Sequence, residues 1–351
     1  MVQLDILLPF GIPPAELSAD LCKALQMPAC ASLIARARAE RAMAPEPEGG
    51  FYRALPHERW LAHAFHENYA TARNSSPPVA PGLMRAFGLE PGDGTWFIVQ
   101  PVHIHIARDH LVLTDPRQLV LSDQESRTLF EIAAPLFAEY GKHLRYGNAG
   151  IWFVRADNWA ELLTSTPDAA SGHNIDIWMP QGPAARDWRK VQNEVQMHWF
   201  GHALNDAREE RGMKPVNSLW LWGGAAADVA PANAYSCLFN LSGWMESFAA
   251  TAPQAQADCA ADVIASRPQH GLAVLDTLLE PALSNDWSRW LDGMHALEEK
   301  WFAPLLQALK AGALDRVSLI ATHDSGLARF AVSRGSLRKF WVKPSLAPLC
   351  S

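Results

Sequence analysis

The chain carries no CxxC pair, no basic tract and no long apolar run. Its five cysteines, Cys22, Cys30, Cys237, Cys259 and Cys350, are an odd and scattered set. That excludes a zinc ribbon or a disulfide framework and predicts reduced thiols in a cytosolic setting. No stretch approaches the length of a membrane span. The first residues lack the basic region and cleavage site of a secretory signal. A cytoplasmic protein without a membrane partner is expected. The net charge is −7 and the pI about 6.0, which argues against nucleic acid and anionic membranes as partners. P-loop, dinucleotide-fingerprint, EF-hand and nucleophile-elbow motifs are all missing.

What is present suits a folded enzyme-sized chain. There are 351 residues, 49% apolar and 19% charged, enough for one large or two ordinary domains. Fourteen tryptophans are many, and their large apolar area suits packing. Leu4 to Pro9 reads as a buried strand. Ala15 to Glu40 reads as two helical pieces, 43–50 as a loop, and Trp60 to Asn74 as a helix. Residues 95–155 read as strands, a helix opened by a Ser122/Glu125 capping box, and two further strands. Asp187 to Arg211 reads as one long helix closed by Gly212. Val263-Ile264 and Gly271 to Leu275 read as short strands. A helix follows over Asp286 to Ala311, with Glu298 and Glu299 on its solvated side. Val317 to Ala321 and Leu327 to Val332 close the pattern. This predicts an α/β core formed by 1–92 plus 187–351, interrupted by a smaller α+β subdomain at 93–186.

Met213 to Gly224 is the densest motif. A strand, Leu219 to Trp222, ends on Gly223-Gly224, where the backbone can turn or approach a ligand. In open α/β sheets ligands sit at such carboxyl ends. Arg208 offers a planar donor fork and Asn205 and Asn217 offer amides. With Trp222 and the amides of Gly223 and Gly224 they make a candidate anion pocket; the alternative is pairing of Arg208 with nearby acids. His198 and His202, four apart, and His103 and His105, alternating on a strand, have metal-ligand spacing. Satisfied structural histidines are the competing reading. His323-Asp324-Ser325-Gly326 reads as a turn.

Asn205-x-x-Arg208 followed by Arg211-Gly212-x-x-Pro215-Val216-Asn217-Ser218-Leu219-Trp220-Leu221-Trp222-Gly223-Gly224 resembles a signature of archaeal-type cofactor-independent phosphoglycerate mutases. Asn193-Glu194-x-Gln196-Met197, Asp109 to Leu113 and Phe340-Trp341 resemble a bacterial group of RpfE-type regulatory proteins related to those enzymes. The resemblance implies an alkaline-phosphatase-like core sheet flanked by helices. It also implies two divalent metals on Asp and His ligands, with a Ser or Thr nucleophile. The first strand, however, ends Leu8-Pro9-Phe10-Gly11 where an Asp-Gly ligand element is implied. No late Asp…His segment is recognisable over Leu275 to Asp286, and no nucleophile can be assigned. The resemblance therefore implies a degenerate, non-catalytic protein that binds a phosphorylated small molecule and uses no metal cofactor. Two rivals stay open. One is an active mutase or phosphohydrolase using Mn²⁺ or Mg²⁺, with ligands drawn from His103, His105, His173, His198, His202, His323 and Asp324. The other is a protein–protein adaptor, if the tryptophans form an exposed patch.

Overall fold

The structure, a computed structural model, describes residues 2–43, 50–66 and 74–350. In chain order the strands are β1 (Gln3–Leu8), β2 (Arg38–Met43), β3 (Thr95–Val102), β4 (Ile104–Ala107), β5 (His110–Leu113), β6 (His143–Asn148) and β7 (Ile151–Arg155). They continue with β8 (Ser218–Ala226), β9 (Cys237–Phe239), β10 (Gln254–Ala255), β11 (His270–Val274), β12 (Arg316–Thr322) and β13 (Gly326–Ser333). The chain divides into two compact units.

The first unit comprises 1–45, 233–245 and 251–351. Its seven-stranded sheet runs β10-β9-β11-β1-β12-β13-β2. The first five strands are parallel, and β13 and β2 add antiparallel. β1 is buried along nearly its whole length, as expected for a strand covered on both faces. The helix expected over Asp286 to Ala311 has three parts: Trp287–Leu297, a π-helical turn Glu298–Phe302, and Ala303–Ala311. Glu298 is not solvated. It is buried, and its carboxylate accepts from the N–H groups of Ala29 and Cys30 at 2.5 and 3.0 Å. These cap the start of the helix Pro28–Arg36, where a negative charge is favoured. Val263-Ile264 lies in the helix Ala260–Ser266, not in a strand; a two-residue apolar step carries no period.

Cys22 and Cys350 form a disulfide, 328 residues apart in sequence, which corrects the expectation that all thiols are reduced. Sequence spacing cannot reveal such a pairing, because the fold of this unit brings the helix Ala15–Ala24 to the C-terminal turn Ala347–Leu349. Cys30 stays a thiol, and burial followed by the charge of Glu298 raises its pKa.

The second unit comprises 46–232 and 246–250. The expected boundaries at 92/93 and 186/187 both fall inside it. The cause is a pairing that no local pattern announces: β8 runs antiparallel beside β3, from Thr95↔Ala226 to Val102↔Ser218. This gives a four-stranded antiparallel sheet, β6-β7-β3-β8. The helices Ala185–Trp199 and Ala203–Glu210 therefore belong with the middle of the chain. Phe97, Trp152, Trp188, Val191 and Leu219 share one core cluster. Trp152 meets Trp199 edge-on at 6.0 Å, and Trp159 meets Trp188 at 5.7 Å. Each such ring buries roughly 150–250 Å², and at about 25 cal/mol per Å² contributes several kcal/mol. The Ser122/Glu125 capping box opens the helix Asp123–Glu139 as expected. The helix expected over Trp60 to Asn74 is Pro56–Phe65; 67–73 lie outside the described residues, as do 44–49 of the expected loop.

Candidate functional site

The expected anion pocket does not form, because its donors are spent on the protein itself. The single long helix is two helices, broken where Gly201 turns through φ +67°. Asn205 lies buried at the start of the second. Its Nδ2 donates to the carbonyls of Trp199 and Val216 at 3.0 and 2.9 Å, and its Oδ1 accepts from Val216 N–H at 2.9 Å. Arg208 is only 1% exposed. Its Nη1 pairs with Glu125 at 2.9 Å, and Nε and Nη2 donate to the carbonyls of Lys214 and Val120, both at 2.9 Å. Asn217 bonds both ways to the backbone of Ile104, at 2.7 and 2.8 Å, as a strand residue would. Trp222 is buried in the core. Gly223, at φ +73°, gives its N–H to Ser76 Oγ at 2.8 Å. A Cβ on Gly224 would run into the Phe97 ring. The glycines thus serve packing. β8 also belongs to an antiparallel sheet, so the rule placing ligands at parallel carboxyl ends does not reach it.

Burial raises Glu125's carboxyl, but more acts the other way. Hydrogen bonds from Ser122 N–H, Arg211 and the Ser122 hydroxyl, with the charge of Arg208, hold it at about 2.

The histidines set out as metal ligands are spread over both units. His103 and His105 stack at 5.9 Å, and their Nδ1 atoms meet the Pro215 carbonyl and Thr114 Oγ1 at 2.8 and 3.1 Å. His173 stacks on Trp178. His198 ends one helix, and His202 caps the next through Nδ1, so they no longer share a helix face. His323 bonds Asp324 at 2.9 Å in the β12–β13 turn. None of these seven falls in a group of three metal-type side chains among the described residues.

The parallel sheet of the first unit has its own carboxyl edge. β1 ends on Leu8-Pro9-Phe10. The N–H of Phe10 donates to Thr322 Oγ1 at 3.1 Å, and its carbonyl accepts from Trp290 Nε1 at 2.9 Å. This corner is hydrogen-bonded internally, its one hydroxyl oxygen, Thr322 Oγ1, accepts from Phe10 N–H, and Leu8, Pro9, Phe10, Thr322 and Trp290 offer no carboxylate to a hard divalent ion. They do not fit the metal pair that the resemblance implies.

Beyond β9 and β11 the same edge opens into a cavity of about 350 Å³. Asn240 follows β9, Asp276 follows β11, and Ser242, Gln256, Asp258, Thr277 and Lys300 add to its polar lining. Asn240 adopts φ +60° and is pinned both ways to Ala257, at 2.8 and 3.0 Å. Ser242 Oγ donates to Asp276 at 3.4 Å. Lys300 stands on the π-helical turn, a distortion common at functional sites, and makes no ion pair among the described residues. One cation, two carboxylates and two hydroxyls can hold a small ligand that carries an anionic group together with hydroxyls. Reading by motif missed this site. The available signal was Asp276, directly after the apolar run Leu272 to Leu275, while the π turn is invisible to helical periodicity.

No protein-family model matches the chain. Over 135 residues, 37% of this chain, it is 26% identical to a "Probable 2,3-bisphosphoglycerate-independent phosphoglycerate mutase" of Geobacter sulfurreducens. That match spans 33% of the mutase, about one third of its length. The cofactor-independent phosphoglycerate mutase from Thermoplasma acidophilum superposes with a TM-score of 0.49 at 12% identity, over 100% of this chain and 94% of that one. PH0037 protein from Pyrococcus horikoshii superposes with a TM-score of 0.52 at 12% identity, over 95% of this chain and 87% of that one. The chain therefore has the α/β fold of the PH0037 protein, a central sheet flanked by helices, and shares with the Geobacter sulfurreducens mutase a sequence similarity confined to about a third of each chain.

Proposed function

We propose that this chain is a degenerate phosphoglycerate-mutase-like protein of the RpfE-type regulatory kind. It binds a phosphorylated, hydroxyl-bearing small molecule at the carboxyl edge of its parallel sheet and does not turn it over. One observation carries the reading: the end of β1 is closed by Leu8-Pro9-Phe10 and its bonds to Thr322 and Trp290, where an in-line phosphoryl transfer would need a carboxylate-held metal. The cavity beside it keeps the chemistry of recognition. Lys300 is a point charge for phosphate, and Asp258 and Asp276 accept from ligand hydroxyls. Calorimetric titration with 3-phosphoglycerate tests the placement. Saturable binding that Lys300→Ala weakens at least tenfold supports it; equal binding by both proteins sinks it.

The rival with an observation behind it is a working mutase, supported by the 135-residue similarity. Turnover of the same compound would establish it. The adaptor reading loses its premise, since only Trp341 of the fourteen tryptophans is exposed.

A further inference from the structure

The second unit holds a cluster built from residues not yet invoked. His57 and Glu58 stand in the first turn of the helix Pro56–Phe65, and Asp168 in the turn Pro167–Ala170. One ligand atom from each lies within 4.8 Å of the others, and this is the one such group among the described residues. All three are buried, at 3%, 1% and 8% exposure.

Their surroundings hold the carboxylates in place. Arg117 grips Asp168 with both Nη atoms, at 3.1 and 2.9 Å, and reaches Asp115 with Nε at 2.9 Å. Glu58 Oε2 accepts from Leu55 N–H and from the Thr166 hydroxyl, both at 2.7 Å. Both of its hydrogen bonds within the described residues fall on Oε2, which leaves Oε1 without a donor there. A carboxylate has about four lone-pair positions, so Asp168 retains two beyond those that Arg117 takes.

Charge supplies a second argument. Asp115 and Asp168 share the guanidinium of Arg117, and Glu58, which has no ion pair among the described residues, stands beside Asp168 in the same buried setting. An excess of negative groups away from water is costly until a cation or a proton offsets it, and a metal ion bound here would take the place of such a proton. The donors are one imidazole nitrogen and two carboxylate oxygens. That mixture suits a borderline first-row ion better than the all-oxygen cages of calcium and magnesium. Arg117 and Thr166 stand where outer partners orient metal-bound carboxylates.

We propose that His57, Glu58 and Asp168 form a buried site for one divalent first-row cation, Zn²⁺ or Mn²⁺. The ion ties the helix Pro56–Phe65 to the turn Pro167–Ala170. The inference does not rest on the cavity at the sheet edge, which lies in the other unit.

The test is equilibrium dialysis of the metal-stripped full chain against Zn²⁺ and, separately, Mn²⁺, with bound metal counted by mass spectrometry. Wild type, His57→Gln and His103→Gln are compared. The wild type is expected to bind one equivalent. His57→Gln is expected to bind about tenfold or more weakly, and His103→Gln, which alters the stacked imidazole pair, like the wild type. No stoichiometric metal on the wild type overturns the proposal, as does equal binding by a folded His57→Gln. If that variant does not fold, X-ray absorption on the metal-loaded wild type decides. A shell of one imidazole and oxygens supports the site; sulfur or two imidazoles overturns it.

Discussion

Two polar regions of this molecule use similar residue types to opposite ends. At Asn205, Arg208 and Asn217 each described side-chain donor meets a backbone carbonyl or Glu125. At Asn240, Asp276 and Lys300 only the Asn is spent on backbone, and the charged groups line open space. The first region is a structural knot, and the second can exchange water for a ligand. The difference lies in what surrounds each donor, not in the residue list.

The comparison breaks most readily at Arg208. Arg208→Ala leaves the carbonyls of Lys214 and Val120 without this donor and takes from Glu125 one of its two guanidinium partners, and breaking such a buried pair costs about 3–5 kcal/mol. Guanidinium unfolding should show that drop; an unchanged midpoint would mean that the knot is loose and its donors available. Asn205→Ala removes three buried hydrogen bonds and should cost roughly 1–3 kcal/mol in the same measurement. A loss below the smaller figure would argue that water replaces the amide.

Acid sharpens the contrast. Glu125 titrates at about 2 in the folded chain, below its ordinary 4.5. Its contribution to stability is therefore full above pH 4.5 and is lost as the pH falls toward 2. Wild type should lose stability more steeply over this window than Glu125→Gln; parallel curves would contradict the network. The smallest stability effect belongs to Lys300→Ala. This exposed residue should change unfolding by no more than about 0.5 kcal/mol while weakening ligand binding. A large loss of stability would make Lys300 structural, as Arg208 is.

Much of the fold was legible in local pattern. β1, β12 and β13 announced themselves as apolar runs, and Ser122 with Glu125 marked a helix start. What stayed hidden is long-range. Nothing near Leu219 tells that its strand pairs antiparallel with β3, and nothing near Cys22 points to Cys350. The site was misplaced for the same reason. Asn205 and Arg208 have the chemistry of an anion pocket, but their partners Val120, Glu125 and Val216 come from other segments. Asp276 and Lys300 become neighbours in one cavity through a parallel crossover and a π-helical turn, neither of which leaves a motif.

The central claim, binding without turnover, is tested most directly by incubating the full chain with 3-phosphoglycerate and with Mn²⁺ or Mg²⁺ in excess, and following 2-phosphoglycerate over time. The account predicts no conversion above the protein-free control. Sustained conversion that scales with protein concentration would contradict it and establish a working mutase.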